Sequence, residues 1–148
     1  MPIGLAPNDR SKFQVYQYDA SDMNGADLFD LPFNPGTKLR GYTAFDEPSC
    51  QVIIEDFMPG TEFQWTFTHD EYQYAISGEI EIEVFEPPLY AESTKTNLKA
   101  GAVYLFPVGA RMHVKVVGDE PYRHICFCPP SPGYPFPSLD DVRGSGGS

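Results

Sequence analysis

The run Glu79-Ile80-Glu81-Ile82-Glu83-Val84 alternates charged and apolar side chains with a period of two. A helix would scatter these isoleucines around its circumference, whereas a strand gathers them on one face and leaves the glutamates on the other. The segment is therefore a half-exposed strand, and it sets the pattern for the chain. Fifteen prolines and thirteen glycines punctuate short stretches rich in Tyr, Phe, Val and Ile, the signature of an all-β domain with frequent turns. Strands are expected at residues 12–18, 39–45, 50–57, 62–68, 72–76, 79–85, 98–106, 112–117 and 122–128. A loop-like region at 21–36 carries one short helical turn at 26–29. So many strands without intervening helices favour a single jelly roll or closed β-barrel over a parallel sheet.

The expected organisation is an N-terminal arm and loop (1–37), the barrel (38–129), a Pro-rich tail (130–143) and a terminal GSGGS linker (144–148). At 148 residues and 41% hydrophobic content the chain can bury one core. It has no apolar run approaching a membrane span, and its N-terminus lacks a basic region followed by an apolar core, so cytoplasmic residence is the expectation. Three cysteines are an odd number, and Cys126 and Cys128 share one strand face with little loop to staple, which favours reduced thiols. Ten Lys and Arg against 21 acids give a formal charge of -11, which excludes the cationic surface that a nucleic-acid partner requires. Small molecules are the expected partners.

Two segments carry a spacing of their own. PGTEFQWTFTHDEYQYAISGE at 59–79 places Gly60, Glu71 and Gly78 around a strand pair, and GAVYLFPVGARMH at 101–113 places Gly101, Pro107 and Gly109. This two-part pattern resembles the cupin superfamily, whose first motif reads G, five residues, H-x-H, three or four residues, E, six residues, G. The second reads G, five residues, P-x-G, two residues, H. The resemblance implies a cupin-type jelly-roll β-barrel with a site inside it. The paired-histidine slots here hold Gln64 and Thr66, so a three-histidine metal site of the common cupin type is excluded.

Residues 62–68 allow two registers. Burying Phe63, Trp65 and Phe67 is favoured on composition, because aromatic burial outweighs amide burial. The cupin register reverses this: it sends Gln64 and Thr66 inward and leaves three aromatics outside, which then need a cover and imply a homodimer. Plain alternation puts Met112, Val114 and Val116 inside and His113 outside, unless a bulge at 109–111 shifts the phase. His69 reads as a surface turn residue. His124, Cys126 and Cys128 alternate on one face, which suits either small-residue packing or a soft metal.

PGTE, EYQYAISGEIEIE, GAVY and ICFCPPSPG also resemble the ectoine synthase branch of cupins. That resemblance implies one divalent first-row metal such as iron, held by Glu71, Tyr104 and His113, although a metal-free site is compatible with the same residues. The stretch F-x-W-T-x-x-x-D-E at 63–71 is similar to the ethanolamine-utilisation cupins, which likewise lack the paired histidines. Together these imply a lyase or isomerase reaction of the dehydration or cyclisation kind. Glu71 and Tyr104 would be its catalytic residues, and Gln64, Thr66, Gln73, Met112 and Phe127 would contact substrate. A metal-dependent dioxygenase drawing on His69, Glu71, His113 or His124, and a non-catalytic binding or assembly module, are the alternatives.

Overall fold

The computed structural model describes residues 13–31 and 34–130. The N-terminal residues used in the localisation argument, most of the Pro-rich tail and the GSGGS linker lie outside that range. Among the described residues, ten strands form two antiparallel sheets: β1 (Phe29–Leu31), β2 (Asn34–Glu47), β3 (Cys50–Phe57), β4 (Glu62–Thr66), β5 (Glu71–Ser77), β6 (Glu79–Phe85), β7 (Ser93–Lys99), β8 (Val103–Phe106), β9 (Arg111–Val117) and β10 (Tyr122–Cys128). The six-stranded sheet runs β1-β2-β3-β10-β5-β8 and the four-stranded sheet β4-β9-β6-β7. This is the jelly roll that the alternating segments predict. In β6, Ile80 and Ile82 are buried as their period requires.

The differences lie at segment ends. The expected strand at 98–106 is two strands, broken by a turn in which the Ala102 amide donates to the Lys99 carbonyl and the Gly101 amide to Ala75. Residues 13–19 form no strand. The helical turn falls at α1 (Ala20–Asn24), earlier than expected, because Asp19 caps it by accepting from the Ser21 amide at 2.8 Å. β2 begins at Asn34, ahead of the expected barrel boundary.

The core lies between the sheets. Phe57, Phe63, Phe67 and Phe106 meet Ile80, Ile82, Met112, Val114 and Val116 there, with Phe67 stacked on Phe106 at 4.3 Å between ring centres. Residues 63–67 thus take the register that composition favours: Phe63 and Phe67 are buried and Trp65 is half-buried against the core. The cupin-register expectation for this strand is corrected. The gain from burying two phenylalanines and most of an indole exceeds what an amide and a hydroxyl could recover inside.

α1 and the residues before it cover part of the outer face of the large sheet. Asp56, fully buried there, accepts from Arg123 (Nε to Oδ1 2.8 Å, Nη2 to Oδ2 2.8 Å) and from Arg40 Nε at 2.7 Å. Arg123 also reaches the Tyr18 hydroxyl and Asn24 Oδ1, binding the arm to the sheet. Among the described residues no helix is long and apolar enough to cross a membrane.

Candidate functional site

Alternation puts Gln51, Ile53, Glu55 and Phe57 of β3 on the inner face, beside His124, Cys126 and Cys128 of β10 and Glu71 and Gln73 of β5. The register pairs His124 with Glu55 and Cys126 with both Ile53 and Gln73. Between these strands and the aromatic wall lies a cavity of about 80 Å³. The four-stranded sheet contributes only apolar lining, Phe63, Trp65 and Met112, with Phe67 just beyond β4. The six-stranded sheet contributes Leu31, Leu39, Ile53 and Phe57 together with Gln51, Glu55, Glu71, Gln73, Cys126 and Cys128, and His69 precedes β5. Among the described residues, no Lys or Arg lines it.

Glu71 is the centre of the polar wall. Gln73 Nε2 donates to its Oε2, while Oε1 faces Cys128 Sγ at 3.4 Å and His69 Nε2 at 3.8 Å. Burial, reinforced by the nearby Glu55 carboxylate, holds the Glu71 carboxyl above the usual carboxylate range. Burial and the same carboxylates push the Cys126 and Cys128 thiols well up, so both are protonated at neutral pH without a metal. On the far side, His124 Nε2 meets Glu55 Oε1 at 3.1 Å. Two buried side-chain nitrogens in this region, Gln51 Nε2 and His124 Nδ1, lack a hydrogen-bond partner among the described residues.

His69 is buried, not a surface turn residue. The turn that carries it is pinned by Asp70, whose Oδ1 accepts from the Val108 amide at 2.8 Å, and by backbone bonds from Phe67 to Ala110 and from Gly109 to Phe67. These fix the strand-like approach of 67–71, so that Phe67, His69, Glu71 and Gln73 all point inward.

The expected site residues divide. Glu71, Gln73 and Met112 line the cavity. Tyr104 points inward, but its hydroxyl is engaged with that of Tyr122 and its ring stands edge-on to Phe106, so it forms part of the core. Gln64 and Thr66 are exposed and come together with His113 and Arg111 in a separate outer groove, a direct consequence of the aromatics facing in. His113 pairs there with Glu62 Oε2 at 2.8 Å. The expected metal set of Glu71, Tyr104 and His113 is therefore not assembled: no bulge shifts the phase of β9, and its histidine stays outside. Phe127 is exposed on the outer face, since Cys126 and Cys128 take the inner positions of β10. Gln51 and Glu55 were not foreseen in the site. Their signal was available, because Phe57 facing the core carries Glu55 and Gln51 to the same side at intervals of two.

With cavity and strands in place, comparison with solved proteins identifies the fold as that of the cupins. The structure is similar to the Clostridium difficile EutQ protein, with a TM-score of 0.56 and 22% identity over 70% of this chain and 76% of that one. It is also similar to KdgF from Halomonas sp., with a TM-score of 0.53 and 18% identity over 74% of this chain and 93% of that one. Oxalate decarboxylase from Lactobacillus farciminis gives a TM-score of 0.55 and 21% identity over 80% of this chain, which spans 35% of that longer protein. No protein-family model matches the sequence, and no curated protein matches it.

Proposed function

We propose that this chain is a small-molecule enzyme of the lyase or isomerase type, acting inside the jelly roll at the polar wall centred on Glu71. The observation that carries this reading is the division of the cavity. Two carboxylates, two carboxamides, an imidazole and two thiols come from the large sheet and the turn before β5, among Leu31, Leu39, Ile53 and Phe57, while the small sheet adds only the apolar Phe63, Trp65 and Met112. Burying carboxylates without a Lys or Arg beside them costs stability, and a module that only holds its shape has no use for that cost. Such a divided cavity can orient a polar molecule while excluding water.

The cavity volume bounds the substrate. One water occupies about 10–15 Å³ on this measure, so the space admits a molecule of a few non-hydrogen atoms. The carboxylates favour a neutral or cationic one, and Gln51 Nε2 offers it a donor. Glu71 Oε1 is the group placed to touch the reacting atoms, with Gln73 holding the other oxygen. Gln64, Thr66 and Phe127 take no part, being outside. A residue set of one imidazole, one carboxylate and one thiol also suits a divalent metal, which would polarise a bound oxygen. A dioxygenase finds less support, because His113 lies on the opposite surface from His69 and His124. Three free cysteines accord with a reducing, cytoplasmic setting.

The homodimer belongs to this reading on a different surface from the one expected. Phe127, Tyr72 and Leu105 form one cross-strand row on the outer face of the large sheet, and Ile125, Tyr74 and Val103 form the next. Five of these six are exposed and none is charged. They end at β8, an edge strand, so a second copy can cover the face by two-fold symmetry.

Ligand-observed NMR with a panel of small amino alcohols, amino acids, polyols and carboxylic acids tests the catalytic reading. Binders should come from the neutral and cationic members. Binding should be lost in Glu71→Gln and retained in Gln64→Ala. Binders that hold equally to Glu71→Gln, or that vanish with Gln64→Ala, would move the site to the outer groove and overturn the reading.

A further inference from the structure

Three donors on the polar wall converge on one point. Glu71 Oε1 lies 3.4 Å from Cys128 Sγ and 3.8 Å from His69 Nε2, and the three atoms are all within 4.8 Å of one another. Tetrahedral coordination with metal-ligand bonds of about 2.0–2.3 Å places its donor atoms roughly 3.3–3.7 Å apart. Two of the three separations therefore stand within a few tenths of an ångström of what one ion requires.

The protonation pattern points the same way. His69 Nδ1 lies 3.0 Å from the Asp70 carbonyl, and a carbonyl can only accept, so Nδ1 carries the proton. In the neutral ring, Nε2 then presents its lone pair toward Glu71 Oε1. A backbone carbonyl fixing the tautomer from behind is the usual support for a metal-binding imidazole. Gln73 does the same for Glu71: by donating to Oε2 it turns Oε1 toward the other two donors.

We propose that His69 Nε2, Glu71 Oε1 and Cys128 Sγ form a three-ligand site for one divalent cation of borderline softness, best matched by zinc, with its fourth position open to the cavity. All three side chains line that cavity, and three protein ligands with one open position is the arrangement of a catalytic rather than a structural ion. The mixed nitrogen, oxygen and sulfur set disfavours magnesium and calcium, which take oxygen ligands. Loading converts the Cys128 thiol to a thiolate as the metal–sulfur bond forms, and the proton leaves to solvent. In the neighbouring group of Glu55, His124 and Cys126, the His124 Nε2 and Glu55 Oε1 atoms are already engaged with each other at 3.1 Å.

This inference rests on the cavity being the working site, and the two can fail separately. Protein stripped by a chelator under reducing conditions is titrated with cobalt(II) as a spectroscopic stand-in, then with zinc in competition. The expected result is one equivalent of cobalt with a thiolate charge-transfer band in the near ultraviolet and the intense visible bands of a four-coordinate ion. Cys128→Ser should lose the charge-transfer band. His69→Ala and Glu71→Gln should each weaken binding at least tenfold, while Cys50→Ser should leave both band and affinity unchanged. Circular dichroism reports the fold of every variant, and the charge-transfer band of the unmodified protein stands even if one variant fails to fold. No cobalt binding by the unmodified protein, or a band that persists in folded Cys128→Ser, overturns the site. If cobalt does not bind while Glu71→Gln still abolishes small-molecule binding, the cavity reading survives and the metal falls.

Discussion

Asp56 and Arg123 are cross-strand partners on β3 and β10, and the guanidinium grips the buried carboxylate through two parallel bonds of 2.8 Å each. Arg40, opposite Asp56 on β2, supplies a third. Asp56 thus stands between two largely buried cations, and both cations reach on to Asn24 at the end of α1. Asp56→Ala leaves two guanidiniums without their counter-charge under the arm. Breaking a buried ion pair from one side costs about 3–5 kcal/mol, and urea denaturation should show a loss of that size. A loss below about 1 kcal/mol would mean that the arm opens to water without consequence for the sheet.

Gly78 joins β5 to β6 at a φ of +82°, where an added Cβ would lie 2.3 Å from the Pro121 carbonyl oxygen. Gly101 has a similar φ of +95° but nothing within 4 Å of such a Cβ. The two glycines therefore separate backbone strain from collision. Gly101→Ala should cost about 1–2 kcal/mol for the left-handed conformation alone. Gly78→Ala adds an overlap with backbone that cannot swing away, and should cost more than about 3 kcal/mol or prevent folding. Equal losses in the two variants would show that the Pro121 segment gives way.

The strands were legible because alternation and turn residues are local signals, and 50–57, 79–85 and 122–128 were bounded to the residue. The register of β4 was harder. Phe63-Gln64-Trp65-Thr66-Phe67 alternates equally well in either sense, and resemblance to a motif with inward polar ligands opposed what aromatic burial favours. Burial decided it, and with it went the expected pocket roles of Gln64 and Thr66 and the dimer face built on Trp65. Glu71 and the row His124, Cys126 and Cys128 were visible in sequence as separate features. That they meet depends on β10 lying between β3 and β5, a long-range pairing that no local pattern encodes. His69 was missed because its burial is imposed by the Asp70–Val108 bond across the structure.

Tyr104 and Tyr122 share a hydrogen bond between their hydroxyls. Burial raises both above the usual tyrosine range, and for Tyr104 the neighbouring Tyr122 adds to the rise. Groups that hold their protons more tightly when folded stabilise the fold less as pH climbs past the value at which unfolded tyrosines ionise, about 10. The contribution is complete below that pH and is lost above it. Urea midpoints measured at intervals from about pH 8.5 to 11 should fall for the unmodified protein, and fall less steeply for Tyr104→Phe, which removes one of the two groups. Parallel curves for the two proteins would refute the linkage.

The outer rows Phe127–Tyr72–Leu105 and Ile125–Tyr74–Val103 bear on assembly independently of the cavity. Val103 is 74% exposed and Leu105 48%, high values for aliphatic side chains on an edge strand that could pair with another chain. A second copy related by two-fold symmetry would stack the same six side chains on one another and cover them in both molecules. Light scattering at micromolar concentration should therefore give twice the chain mass. Leu105→Lys should give the monomer mass without loss of fold, because the substituted side chain points into solvent in the isolated chain and its charge repels its symmetry mate only in the pair. A monomer in the unmodified protein would refute the dimer, and a dimer that tolerates both Leu105→Lys and Tyr72→Lys would place the contact elsewhere. The outer groove of Gln64, Thr66, Arg111 and His113 would then be the next surface to substitute.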